Sequence, residues 1–216
     1  MDRLDRPRGM LAVGLAGLAG FVDATGFLSA GGYFTSFMSG NTTRFGVDLA
    51  TDPELALLPA CLIAGFVAGV TAGALAAERW PGRRKTAVMA LVAGLLTLAA
   101  LGQGRSLTVF LGSSVLAMGA LNNVFRRNGE VAFGVTYMTG ALVRFGQGLA
   151  ARLLGRDSEG RLGAGGLWLG LAVGAILGAL AFTQVPHSAI WIAVVYAAIM
   201  LVAANAIERR TPQSSI

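Results

Sequence analysis

Residues 35–50, TSFMSGNTTRFGVDLA, return one hundred positions later as residues 135–150, VTYMTGALVRFGQGLA. Seven of the sixteen positions are identical: Met38/Met138, Gly40/Gly140, Arg44/Arg144, Phe45/Phe145, Gly46/Gly146, Leu49/Leu149 and Ala50/Ala150. Unrelated stretches of this composition share roughly one or two. A hydroxyl precedes the glycine in both copies, as Ser39 and Thr139, and an aromatic ring precedes the methionine, as Phe37 and Tyr137. The chain therefore reads as a duplication, and the rest of it is ordered around this phrase.

Composition says where the duplicated unit lives. With 55% apolar and only 13% charged residues, the chain belongs in a lipid bilayer. The net charge of +6 comes from short basic clusters between long apolar runs, without interleaved aromatic rings, so it reads as a topology signal and excludes nucleic acid as a partner. One cysteine, Cys61, excludes an intramolecular disulfide and a cysteine metal cage, and reads as a small apolar filler. His187, in the turn QVPHS, has no neighbouring ligand for a metal. Neither a catalytic triad, a His-Glu-x-x-His pattern nor a phosphate loop is present, so no enzyme, cofactor or metal is expected.

Taken in order, an apolar run at 10–30 is long enough for a membrane-spanning helix, and Asp23 inside it argues against a cleaved signal. Gly26, Gly31 and Gly32 end it; a short helix over 41–49 follows and stops at Thr51, Asp52 and Pro53. A second span, 55–77, carries Gly65, Gly69 and Gly73 on one face, which lets another helix approach closely. A third runs over 86–103. The second half repeats the plan with spans at 107–125, 162–182 and 189–207. Asn123 falls opposite Asp23 at the same offset, and Gly170, Gly174 and Gly178 form the second glycine face at an offset of 105. Repeat one covers about 9–103 and repeat two about 107–208 of a single membrane domain spanning 1–216, with a polar tail at 209–216. The glycine faces are expected to pack within the bundle, a homodimer seam being the alternative. Trp80, Trp168 and Trp191 fall near span ends, as interfacial anchors do.

Basic residues in short loops stay cytoplasmic. With the N-terminus inside, fourteen of the seventeen basic residues lie on the cytoplasmic side, including the cluster Arg79, Arg83, Arg84 and Lys85. Full crossings by the short helices would put that cluster outside, so they are expected to enter and leave on one side. Three spans per half is odd, and the second half must be threaded upside down. The expectation is an all-α protein of the inner membrane with both termini cytoplasmic. It has six transmembrane helices and two re-entrant half-helices, arranged as an inverted repeat.

The phrases GFVDATGFL, FMSGNTTRFG, MGALNN and TYMTGALVRFG resemble the YoaK-like family of bacterial multi-pass membrane proteins, domain of unknown function 1275, over essentially the whole chain. The family's Met-Thr-Gly-Asn reads here as Met38, Ser39, Gly40 and Asn41. The second copy keeps Met138, Thr139 and Gly140 but has Ala141 in the fourth place. The resemblance implies fold and location; function is argued from the site.

Two half-helix N-termini directed at the membrane centre carry orphan donors and partial positive charge, which favour an anion or a carbonyl oxygen. Gly40 and Gly140 allow close backbone approach. Ser39 and Thr139 are helix caps on one reading and solute ligands on the other. Arg44 and Arg144 lie one turn inside these helices and lean toward the same region. An ion pair with Asp48 accounts for Arg44 alone, because Gly148 stands at the corresponding place in the copy. Asp23 is the one carboxylate in a clear span. It is read either as a structural partner for arginine or helix-end donors, or as a proton- or substrate-coupling group. The expected site thus comprises Asp23, Met38, Ser39, Gly40, Asn41, Arg44, Asn123, Met138, Thr139, Gly140 and Arg144. The expected function is a transporter or channel for a small molecule or ion, a non-transporting scaffold being the alternative.

Overall fold

The computed structural model describes residues 6–127, 130–131, 136–156 and 163–210. Arg3, Val135, Arg161 and residues 211–216 of the expected tail lie outside the described residues. The described chain forms eight α-helices: α1 (Arg6–Ser29), α2 (Met38–Thr51), α3 (Leu57–Arg79), α4 (Arg84–Gly102), α5 (Leu107–Leu121), α6 (Met138–Leu153), α7 (Ala164–Gln184) and α8 (Ala189–Arg210). A 3-10 turn at Pro81–Arg83 precedes α4, and Arg126–Arg127 pairs antiparallel with Glu130–Val131.

Five helices, α1, α3, α4 with its preceding turn, α7 and α8, are long and apolar enough to cross a membrane. Six were expected. The sixth, α5, has 15 residues, about 22 Å of helix, although its apolar run continues to Phe125. Two asparagines stop it. Asn122 Nδ2 donates to the Met118 carbonyl at 3.0 Å and Asn123 Nδ2 to that of Ala120 at 3.4 Å, in competition with the backbone donors that would continue the helix, while Asn123 Nδ2 also reaches the Val70 carbonyl on α3 at 2.9 Å.

The glycine faces are contact surfaces. A Cβ on Gly69 would overlap the Leu116 carbonyl oxygen, and one on Gly73 would stand 2.8 Å from Ala120 Cα, so α3 lies parallel to α5 at backbone contact. Likewise a Cβ on Gly174 would overlap the Gly17 carbonyl oxygen, and one on Gly178 would approach that of Phe21 to 2.5 Å, so α7 lies parallel to α1. Each half therefore places its glycine-faced helix on the first helix of the other half.

The contacts also fix the register of the duplication. Gly20 faces Leu171 and Ala175, whereas Gly119 faces Phe66 and Val70. These partners correspond at the offset of 105, so Gly20 corresponds to Gly119, an offset of 99. The offset of 100 that holds for the repeated phrase pairs Asp23 with Asn123; helix packing pairs Asp23 with Asn122.

A second reciprocity joins α4 and α8. Gln103, just past the end of α4, accepts the Ile190 N–H at the start of α8 through Oε1 at 3.1 Å. Glu208, at the end of α8, accepts the N–H of Lys85 at 2.6 Å and of Thr86 at 3.0 Å at the start of α4, together with the Thr86 hydroxyl at 2.6 Å. Gln103 and Glu208 are themselves 105 positions apart, as are Lys85 and Ile190. The two helices are antiparallel, each closing the donors of the other's N-terminus.

α1 lies at the centre, with 67% of its apolar stretch buried against 22% for α3, α7 and α8; α5 is buried along most of its length. The outer helices present Val67, Leu75, Leu169, Ile176, Val195 and Val202 outward. An apolar exterior over helices of membrane length is the surface of a membrane-spanning protein.

Candidate functional site

The site is built where α1 hands over to α2. Gly31 and Gly32 take φ of +64° and +102°, which reverses the chain. Residues 33–37 then turn back along the last turns of α1 as far as Asp23. Asp23 Oδ1 accepts the Thr35 N–H at 2.7 Å, the Ser36 N–H at 2.8 Å and the Thr35 hydroxyl at 3.2 Å. Asp23 lies six residues before the end of α1, so the irregular backbone sits about 9 Å down that helix.

Asn41 secures the other side of this segment. Its Oδ1 accepts the Phe34 N–H at 2.9 Å and its Nδ2 donates to the Phe34 carbonyl at 2.7 Å, so one amide satisfies both polar groups of one residue. Asn41 is fully buried. The rings of Phe27, Phe34 and Phe37 meet in succession, tilted at 4.8 Å and edge to face at 5.2 Å between centroids. From here α2 runs back toward the end of α1, because Arg44 lies against Gly32 and over the Tyr33 ring at 5.2 Å, and the Tyr33 hydroxyl donates to Asp48 Oδ2 at 2.7 Å.

Several expected details differ. Phe37 and Tyr137 occupy the N-cap positions of α2 and α6, with no side-chain cap on either. Ser39 and Thr139 instead lie inside the first turns, exposed, so neither is a cap. The reason is a turn common to both copies: the Met38 and Met138 N–H groups donate back to the Ser36 and Thr136 carbonyls, at 3.2 and 3.0 Å, so each helix starts at its methionine. Asp23 does not pair with Arg44, which is held by the Tyr33 ring, and Tyr33 also takes the Asp48 carboxylate expected for Arg44. Met38 and Met138 pack on the core, and the Met38 sulfur lies 3.8 Å from Asn41 Nδ2.

The second copy has the same shape and different chemistry. Residues 41–50 and 141–150 share one burial pattern, with positions 41/141 and 48/148 turned inward and 44/144 outward. Yet Asn41, Arg44 and Asp48 correspond to Ala141, Arg144 and Gly148, and Tyr33 to Phe133. Asn122, the packing counterpart of Asp23, accepts the Thr136 hydroxyl at 3.2 Å. Asn123 turns away, to α3. The two motifs are not brought face to face: α2 rests on α3 and α6 on α7. Three cavities lined by described residues include none of Ser39, Gly40, Thr139 and Gly140.

Sequence reasoning missed Tyr33, Thr35, Ser36 and Asn122 here, and Gln103 and Glu208 at the helix ends. Asn122 was next to the residue chosen. Glu208, a carboxylate following the last apolar run, carried a signal in its type and place.

The family "Protein of unknown function (DUF1275)" matches residues 11–203. A UPF0700 transmembrane protein of Rhizobium meliloti (strain 1021) is similar, with 37% identity over 201 residues, covering 93% of this chain and 87% of that relative. No solved structure matches the chain.

Proposed function

The chain belongs to the DUF1275 family, and from that premise we propose a membrane transporter or channel for a small solute, anionic or carbonyl-bearing. In this reading it is an inverted repeat of two three-helix halves, with α2 and α6 as re-entrant half-helices, in the inner membrane with both termini cytoplasmic. The observation that carries the reading is the junction at Asp23, where a carboxylate within an apolar helix holds a stretch of non-helical backbone. Such backbone is tolerated at membrane depth where it faces protein or a wet cavity, and interrupted helices recur at the solute sites of inverted-repeat transporters. The Thr35 and Ser36 N–H groups and the Thr35 hydroxyl all fall on Oδ1, and in this reading a solute or a proton engages the carboxylate through Oδ2. The uncapped first turn at Ser39 and Gly40 supplies donors. The glycine-faced pairs α1/α7 and α3/α5 are the rigid bodies whose rocking alternates access. No chemical step is assigned to the chain.

A second reading, a non-transporting membrane scaffold, is favoured by one observation. The hydroxyls of Thr42, Thr43 and Thr51 each donate to a carbonyl of their own helix, so the exposed face of α2 is largely self-satisfied. Flux separates the two. Proteoliposomes are loaded with a panel of labelled small carboxylates, phosphate and neutral amides, and release is compared with protein-free vesicles. The transporter reading expects at least one solute to move faster, and Asp23→Asn and Arg44→Gln to change that rate in protein that remains folded. No protein-dependent flux of any solute overturns it and leaves the scaffold.

A further inference from the structure

Away from the repeated phrase, the end of α1, the α4–α5 turn and the α7–α8 turn border an open cavity of about 420 Å³ lined by Ser29, Gln103, Arg105, Ser106 and His187 among others. No carboxylate lines it. Gln103 is buried, 6% exposed, and its orientation is set by Oε1 accepting the Ile190 N–H; its Nε2 is left buried without a partner. The corresponding Glu208 has no surplus donor, since a carboxylate only accepts. Substituting an amide for a carboxylate at this equivalent place leaves two N–H groups that call for an acceptor.

The surroundings select the acceptor's charge. Arg105, in the turn after α4, is exposed and its guanidinium donates to the Leu101 carbonyl near the end of α4, at 3.1 Å, which leaves most of its donors available. The His187 ring lies against Gly104, whose φ of +75° brings the turn so close that a Cβ there would stand 2.9 Å from Nδ1. Leu107 opens α5, and its N–H has no intrahelical acceptor; Ser106 Oγ caps only the Val109 N–H, at 3.3 Å. We propose that this cavity binds a compact oxyanion, a carboxylate or a phosphate group, through Arg105, the Gln103 amide, His187 and the first turn of α5. The site is independent of the transport reading.

His187 is the single histidine of the chain, so in untagged full-length protein its ring resonance reports on the cavity without assignment. The protein in dodecyl maltoside micelles is titrated with sodium acetate and with sodium phosphate at constant ionic strength. The same resonance is also followed in nanodiscs of phosphatidylcholine with and without phosphatidylglycerol. A saturable shift with the free anions assigns a soluble ligand; a shift produced only by phosphatidylglycerol assigns a lipid headgroup. Either must weaken about tenfold or more in Arg105→Gln. Gln103→Glu keeps an acceptor for the Ile190 N–H, as Glu208 does for Lys85, while removing the donor and adding repulsion, so it must abolish the shift in folded protein. No shift with any of these probes, or an equal shift in both variants, overturns the site.

Discussion

Asn41 and Thr42 are neighbours on α2 with opposite roles. The Asn41 amide is fully buried and spans both polar groups of Phe34; the Thr42 hydroxyl is exposed and donates to Met38 of its own helix. Asn41→Ala leaves the part-buried N–H and carbonyl of Phe34 unpaired and is expected to cost about 1–3 kcal/mol. Thr42→Ala is expected to cost under about 0.5 kcal/mol. Melting in detergent, followed by circular dichroism, ranks them; equal midpoints would remove Asn41 as the anchor of residues 33–37. Asp23 permits a finer division. Asp23→Asn retains an oxygen acceptor for Thr35 and Ser36 and should melt close to the parent, whereas Asp23→Ala should fall by several degrees, because two backbone donors lose their acceptor. A flux defect in Asp23→Asn without a fall in midpoint would separate a coupling role from a structural one. Asp23 was legible in the sequence because carboxylates are rare in spans. Its partners were not, since nothing local tells a carboxylate to bind a loop twelve residues ahead.

At the level of helices, glycine is decisive only where another backbone arrives. Gly69 and Gly174 face carbonyl oxygens of α5 and α1 at overlap distance for any Cβ, whereas Gly94 in α4 and Gly112 in α5 have open space at the Cβ position. Gly69→Ala and Gly174→Ala are therefore expected to lower the melting midpoint, and their leucine variants to prevent stable assembly. Gly94→Ala and Gly112→Ala should be neutral or stabilising by about 0.5–1 kcal/mol, from helix propensity alone. Size-exclusion profiles and melting curves of the four alanine variants test this; uniform tolerance would mean that the faces do not touch. These faces were readable because four-residue spacing is a local pattern. The end of α5 was not, because Asn122 and Asn123 terminate an apolar run by engaging the carbonyls of its last turn, and Asn123 is turned there by a contact with α3 far away in sequence. Nor was the 99-residue register, which a strong match at 100 in the neighbouring phrase concealed. The caps at Gln103 and Glu208 join residues 87 and more than 120 positions apart, beyond any window of sequence.

Over the whole molecule, helix directions and charge can be combined into one test of the proposed topology. α1 and α7 run parallel, as do α3 and α5, while α4 opposes α8, so the ends of α1, α4 and α7 share one face and the starts of α1, α4 and α7 the other. The second face carries Arg6, Arg8, Arg83, Arg84, Lys85, Arg209 and Arg210, and basic residues of this kind remain cytoplasmic. α2 leaves toward the first face, because Arg44 and Asp48 meet Gly32 and Tyr33 beyond the end of α1. α6 precedes α7, which starts on the second face. Ser39 and Thr139, at equivalent exposed places, should then be reached by water from opposite sides of the membrane. Cys61 is exposed and has to be replaced first, by alanine, so that a single introduced thiol reports. In intact cells an impermeant maleimide is expected to label Ser39→Cys and to spare Thr139→Cys and Gly82→Cys; inverted vesicles should reverse the pattern. Labelling of Gly82→Cys from outside would reverse the orientation while leaving the halves opposed. Labelling of Ser39→Cys and Thr139→Cys from the same side would remove the inverted repeat itself, because no rigid placement of these helix directions across a bilayer could then keep the two half-helices on opposite faces.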